Sequence, residues 1–197
     1  MGVMSRTKSS AEESASLARV IGVGDAKVFN SVTDMVSDPN INALWICAPN
    51  FTRIEVMEEI VNAIESGKGK LIGVTCEKPL GRNVKEAKKV LELTQKVGLL
   101  DGYLENQVFA PSVTRGKEII WSRGAKATGR PYLARAAEEH SGPHMPWFWE
   151  GELQGGGVLN DMMCHSVEEA RFMLTEPGKS RESLTPKSVN AYASCLK

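Results

Sequence analysis

Leu71-Ile72-Gly73-Val74-Thr75-Cys76-Glu77-Lys78-Pro79-Leu80 is the stretch on which the reading of this chain turns. Its first six residues form an apolar run of strand length. Upstream, Ala43-Leu44-Trp45-Ile46-Cys47 is a second continuous apolar run, of the kind found in a parallel strand covered on both faces. Between the two, Ile54, Met57, Val61 and Ile64 fall on one helical face that stops at Gly67. Downstream a helix opens at Asn83 with Glu86 as capping partner, shows Val84, Ala87, Leu91 and Thr94 as its inward stripe, and ends at Gly98. Leu99 to Leu104 then supplies a third strand. This alternation from Asp38 to Asn106 predicts consecutive parallel βαβ units, an α/β fold. Ligands in an open α/β sheet bind at the carboxyl ends of the strands, here Ala48-Pro49-Asn50, Glu77-Lys78-Pro79 and Glu105-Asn106.

Towards the N-terminus, Ala11 to Val20 reads as a helix capped by Ser9 or Ser10, and Ala26 to Phe29 as a short strand. Ile21-Gly22-Val23-Gly24-Asp25 between them lacks the third glycine of a dinucleotide loop, follows a helix and leads into none, so it reads as a linker. A true fingerprint with its strand and helix needs roughly 30 more residues ahead of Met1. The first βαβ unit is therefore expected to be missing, which leaves a partial Rossmann-type parallel sheet over residues 1–106. After Asn106 the rhythm changes. Pro111 to Trp121 reads as a helix, Gly124 to Gly129 as a loop and Tyr132 to Ala137 as a strand. A Gly/Pro/aromatic loop from Ser141 to Trp149 follows, and Val189 to Leu196 closes the chain as another strand-like stretch. Residues 107–197 are expected to begin an α+β domain for substrate binding and oligomerisation.

Composition excludes more than it assigns. Hydrophobic residues make up 42% and charged residues 24%, the balance of a packed domain. Lys+Arg and Asp+Glu are 24 each, so no whole-chain field points to nucleic acid or a membrane surface. No apolar run reaches membrane-spanning length. The four cysteines form no C-x-x-C pair and read as reduced, buried thiols, as in a cytoplasmic protein.

Two segments carry candidate chemistry. Lys78 stands just past the strand run, where a lysine can take a proton as the amine and, as the ammonium, stabilise developing negative charge on an oxygen. In Gly155-Gly156-Gly157-Val158-Leu159-Asn160-Asp161-Met162-Met163-Cys164-His165, a glycine triplet opens a helix. It places Asp161 and His165 four apart on one face, where the carboxylate can orient the imidazole. The glycines permit close backbone approach to a ligand. Taken alone, Asp161 also reads as a first-turn helix carboxylate and His165 as a satisfied half-buried side chain.

Together the Glu77-Lys78-Pro79 and Gly155–His165 segments resemble the glucose-fructose oxidoreductase / inositol dehydrogenase (Gfo/Idh/MocA) family, over roughly residues 5–197. That family consists of nicotinamide-dependent enzymes oxidising sugars, cyclitols and related alcohols. The resemblance implies Lys78 as the proton-transfer group, with His165 as second acid/base or substrate anchor and Asp161 as its orienter. It implies Pro49, Asn50, Glu77, Lys78 and Asn106 beside the cofactor; Phe109 and Pro111 complete the match around Asn106. His144 and Trp147, with Asp161 and His165, are the expected substrate contacts; Trp147 to Trp149 read either as the wall of a sugar site or as core or subunit interface, and His144 either as a substrate-hydroxyl contact or as a plain loop histidine. Arg53, Val108 and Met163 depart from the family's usual His, Arg and Gly. Ser5 and Arg6 fall where NAD-preferring members place an acid. An arginine there suits a 2′-phosphate, which leans the expectation towards NADP, against the plainer reading of a basic residue at a frayed terminus. His140 and His144 are four apart, but Ser141-Gly142-Pro143 breaks any helix between them and no third ligand is spaced to help, so no metal is expected.

The expected function is hydride transfer between NAD or NADP and a secondary alcohol of a sugar, cyclitol or related polyol. A homo-oligomer is expected when full length. A catalytically silent piece of such an enzyme, and a non-redox Rossmann-like hydrolase or lyase, stand as alternatives. Without a phosphate-binding loop, the chain by itself is expected to bind a nicotinamide cofactor poorly and to associate.

Overall fold

The computed structural model describes residues 1–139 and 141–194. Two compact units emerge: Met1–Glu105 with Ser141–Asp161, and Asn106–His140 with Met162–Lys197. The chain thus leaves the first unit just ahead of Gln107 and returns to it for the segment Ser141–Asp161.

The first unit is built from parallel strands. Strand β1 (Gly2–Val3) leads through helix α1 (Lys8–Val20) to β2 (Lys27–Val28), and the strands pair in parallel, Gly2 with Lys27 and Val3 with Val28. Ala11, Ala15 and Ala18 are buried on α1, and Ala15 and Ala18 pack over Val3 and Val28; small side chains let the helix lie close. The cap of α1 is Thr7, whose Oγ1 accepts from the Ser10 N–H at 3.4 Å, so the helix opens ahead of the expected Ser9 or Ser10. Ile21 to Asp25 links α1 to β2, as expected. Helix α2 (Val32–Ser37), capped by Ser31, follows.

Next come β3 (Ala43–Ile46), α3 (Arg53–Glu65), β4 (Gly73–Glu77), α4 (Val84–Lys96) and β5 (Leu100–Leu104). They form a parallel sheet in the order β3-β4-β5, with Leu44 opposite Val74 and Cys76 opposite Tyr103. The two helices stop at Gly67 and Gly98, both at positive φ. Asn83 caps α4 by accepting from the Glu86 N–H at 3.0 Å. The core gathers Leu44, Ile46, Met57, Ile60, Val74 and Val90.

Two expectations about burial change. Strand β3 is covered on one face only, with Leu44 and Ile46 buried while Trp45 is 67% exposed. The inward stripe of α4 is Val90, Leu93 and Thr94, while Val84 and Leu91 face out. A helix is turned by what it packs on, here α3, and that contact is not local in sequence.

The second unit is helical. Helix α5 (Pro111–Ile119) runs through a π-helical turn (Ile120–Gly124) into α6 (Ala125–Thr128), so the loop expected from Gly124 onward is helix until Gly129. Ala125-Lys126-Ala127 are strong helix formers, which overrides the opening glycine. Helix α9 (Met163–Leu174) packs on α5, tied by a 2.9 Å bond from Trp121 Nε1 to the Met173 carbonyl and by Lys117 Nζ 4.0 Å from the Phe172 ring centroid. The strands expected at Tyr132–Ala137 and over Val189–Leu196 do not form at 132–137 or 189–194; residues 195 and 196 lie outside the described residues. A strand needs a neighbour for its backbone groups, and no strand is present among the described residues of this unit. Tyr132 and Tyr192 are accordingly almost wholly exposed. The sheet of the expected α+β domain is thus not seen there.

Candidate active site

Lys78 directly follows Glu77, the last residue of the central strand β4, at the carboxyl end of the sheet. Its Nζ lies 2.9 Å from Asp161 Oδ1 and donates also to the Asp161 main-chain carbonyl at 3.0 Å. Both side chains are largely buried, 19% and 12% exposed. A lysine would otherwise extend into solvent; here its ammonium is held at a fixed point by two oxygens of one residue.

Asp161 reaches that point because helix α8 (Gly157–Asp161) ends there. The expected single helix through His165 is broken at Met162, and α9 starts at Met163. The His165 N–H donates to the Met162 carbonyl at 3.0 Å, and the Asp161 carbonyl accepts from Lys78. Asp161 therefore ends α8 in the first unit, and His165 belongs to α9 in the second. His165 is 4% exposed in the first turn of α9.

The segment that carries Asp161 is docked by polar bonds. Asn50, 3% exposed in the short turn leaving β3, donates from Nδ2 to the Gln154 carbonyl at 2.9 Å. Asn160 Nδ2 donates to the same carbonyl at 2.9 Å. Gln154 ends helix α7 (Gly151–Gln154) and is itself 2% exposed. It clamps the glycine triplet by accepting from the Gly156 N–H at 2.8 Å and donating to the Gly157 carbonyl at 3.0 Å. Arg82 Nη1 donates to the Glu152 carbonyl at 2.7 Å, and Phe51 meets Trp147 edge-on at 5.4 Å. Gly155, at φ +96°, lies so close to Arg82 that a Cβ would sit 2.5 Å from its carbonyl oxygen. The close approach that Gly155 allows is to the protein's own β4–α4 loop.

Arg53, the first residue of α3, is 2% exposed and points its guanidinium at three main-chain carbonyls. Nη1 donates to Glu77 and, at 2.8 Å, to Pro79; Nη2 and Nε donate to Ala48 at 3.2 and 3.4 Å. Burial pulls its pKa below the ordinary arginine value, with Cys76 and Glu77 opposing. Burial likewise pushes the thiols of Cys76 and Cys47 up.

The first unit thus gathers Pro49, Asn50, Glu77, Lys78, Trp147 and Asp161 on the strand exits and the segment docked on them. Ser5 and exposed Arg6 sit between β1 and α1, at the carboxyl end of their own strand. His144 is exposed ahead of the Pro146–Trp149 turn. Asn106 is exposed and opens the second unit. His140 lies outside the described residues. Gln154, Asn160 and Arg82 escaped sequence reasoning, because single polar residues carry no periodic signal. Among the described residues, Asn50 Oδ1 is a buried acceptor without a hydrogen-bond partner.

Comparison with known proteins gives the family. The oxidoreductase family with an NAD-binding Rossmann fold matches residues 1–101, and the GFO/IDH/MocA C-terminal domain matches residues 123–194. A parallel sheet with a buried lysine–aspartate pair at its carboxyl end thus sits in a chain of the NAD-binding oxidoreductase class. The chain belongs to the Gfo/Idh/MocA family. It is similar to 1,5-anhydro-D-fructose reductase of Ensifer adhaerens, 29% identical over 88% of this chain and 49% of that protein. It is also similar to myo-inositol 2-dehydrogenase of Thermotoga maritima, 26% identical over 78% and 42%. Among solved structures, GenD2 from gentamicin A biosynthesis in complex with NAD aligns with a TM-score of 0.70 at 26% identity, over 89% of this chain and 46% of that one. The chain spans about half the length, or less, of the relatives it matches. Among the described residues, no helix is long and apolar enough to cross a membrane.

Proposed function

We propose that this chain forms part of an NAD(P)-dependent oxidoreductase that moves hydride between the nicotinamide and a secondary alcohol of a sugar, cyclitol or related polyol. The observation that carries the reading is Lys78, held at the carboxyl end of the central strand by one carboxylate oxygen and the main-chain carbonyl of Asp161. When bound, the nicotinamide supplies the hydride acceptor or donor. As the neutral amine, Lys78 takes the hydroxyl proton when an alcohol is oxidised and becomes the ammonium; as the ammonium it returns that proton in the reverse direction. Asp161 fixes the ammonium and balances its charge, so that the proton is exchanged at a defined point in a largely buried setting. To His165 we assign the second acid–base or substrate-anchoring role that the resemblance implies. Pro49, Asn50, Glu77 and Asn106 are assigned to the cofactor, Asn50 Oδ1 offering an acceptor not already used by the protein. His144 and Trp147 are assigned to substrate. Ser5 and Arg6, donors at the carboxyl end of β1, favour NADP through a 2′-phosphate.

The test is nicotinamide absorbance at about 340 nm during turnover of a polyol panel by the protein in its full length, wild type against Lys78→Ala. Turnover that falls about 10²-fold or more with cofactor affinity held within about twofold supports the role of Lys78. Unchanged turnover removes Lys78 from the mechanism, and a wild-type protein inert towards every polyol with both cofactors refutes the reading.

A further inference from the structure

We infer that Arg53 is a positioning residue for Lys78, an inference that rests on the proposed role of that lysine. Arg53 Nη1 holds the carbonyls of Glu77 and Pro79, the residues on either side of Lys78. The rest of the same guanidinium holds Ala48, at the exit of the neighbouring strand β3. One planar group therefore ties the carbonyls of the two residues flanking Lys78 to the adjacent strand end. A fork of five N–H donors can satisfy three convergent carbonyls, which an ammonium with three donors on a flexible stem does far less rigidly.

The placement runs against two general preferences. A charge that is 2% exposed is costly unless fully hydrogen-bonded, and a cation in the first turn of a helix opposes the helix dipole. Folding of α3 asks for neither, since its apolar face already buries Met57, Ile60 and Val61. What the guanidinium secures is the exit of β4. Asp161 fixes the ammonium end of Lys78, and Arg53 fixes the backbone end. The lysine is held at both ends, as a group must be whose displacement by about 1 Å can cost 10²-fold in rate.

The test has two arms. In the chain itself, lysines are acetylated with limiting reagent and the modified sites are resolved by mass spectrometry, with exposed Lys85 as internal reference. Arg53→Lys keeps the charge and most of the stem, while Arg53→Met removes the charge. In either variant, provided its circular dichroism is native, the Lys78/Lys85 rate ratio rises about tenfold, the effect of losing one hydrogen bond's worth of local stability. An unchanged ratio in folded Arg53→Lys overturns the inference. So does the failure of both variants to fold, which would make Arg53 a general structural residue. In the full-length protein, Arg53→Lys lowers kcat about 10²-fold while KM for the nicotinamide stays within about twofold. Equal losses in kcat and cofactor binding would likewise overturn it. A wild-type protein without dehydrogenase turnover would refute the proposed function, and the acetylation ratio would still decide whether Arg53 holds Lys78.

Discussion

Replacing Gly155 with alanine should release the Asp161-bearing segment from the β4–α4 loop. Gly155 sits at φ +96°, where an L side chain costs about 1–3 kcal/mol. The added Cβ would also lie 2.5 Å from both Cβ and the carbonyl oxygen of Arg82 and 2.7 Å from its Cα, atoms that cannot swing aside. Relief requires the segment to back away, at the expense of the bonds from Arg82 Nη1 to Glu152 (2.7 Å) and from Asn50 Nδ2 to Gln154 (2.9 Å). At about 1 kcal/mol net for each bond, the total is roughly 3–5 kcal/mol. That corresponds to about a 10²- to 10⁴-fold rise in the opening equilibrium. Hydrogen exchange read by mass spectrometry over residues 151–161, with α3 peptides as reference, measures it directly. Two other glycines of the segment separate the causes. Gly157 has φ +57° but open space around its Cβ position, so Gly157→Ala carries backbone strain alone, about 1–2 kcal/mol. Gly151 is helical with nothing within 4 Å, so Gly151→Ala is neutral or slightly stabilising. Exchange in Gly155→Ala no faster than in Gly157→Ala would show that the contact with Arg82 does not hold the segment.

Other perturbations reach separate parts of the molecule. In a double-mutant cycle with Lys78→Met and Asp161→Asn, urea unfolding should return a coupling of about 1–3 kcal/mol; a value near zero would mean that the pair holds nothing. Asp38 titrates at about 2 against an ordinary 3.8, chiefly because Lys27 donates to it at 2.7 Å. Since its folded pKa is depressed, the associated stability is present above pH 3.8 and lost as pH falls towards 2; in Lys27→Met the Asp38 carboxyl, followed by NMR, should titrate higher than in the wild type, with the two Asn40 bonds still lowering it. Burial raises both thiols above the ordinary 9.0, so labelling of exposed Cys47 should climb about tenfold per pH unit up to pH 9, while buried Cys76 reacts only on unfolding. Rapid native labelling of Cys76 would contradict the packing of β4.

Sheet β3-β4-β5 and its helices were legible because their signals are local. Apolar runs of strand length, the cap at Asn83 and the stops at Gly67 and Gly98 each work within a few residues. Lys78 could be placed at a strand end for the same reason. What escaped depends on partners distant in sequence. No periodicity marks Met162 as a break, because the break is stabilised by Lys78 taking a carbonyl 83 positions away in sequence. The exposure of Trp45 depends on which face α3 and α4 choose. The Tyr132 and Val189 runs have strand composition, yet a strand exists only beside another strand. Arg53 was visible as a departure from a resemblance, but its three carbonyl partners were not.

One of the two oxygens that hold Lys78 belongs to the main chain of Asp161, and that divides what heredity can alter. Drift at codon 161 can remove the carboxylate and its charge, yet it leaves a carbonyl in place for the ammonium. Address and ionic balance are thus encoded separately, the first in the backbone where the helix stops, the second in one exchangeable side chain. A lineage could therefore change the charge beside this lysine by trading residue 161 while its location endured. Losing the location would take a change that lets the helix run on past Met162.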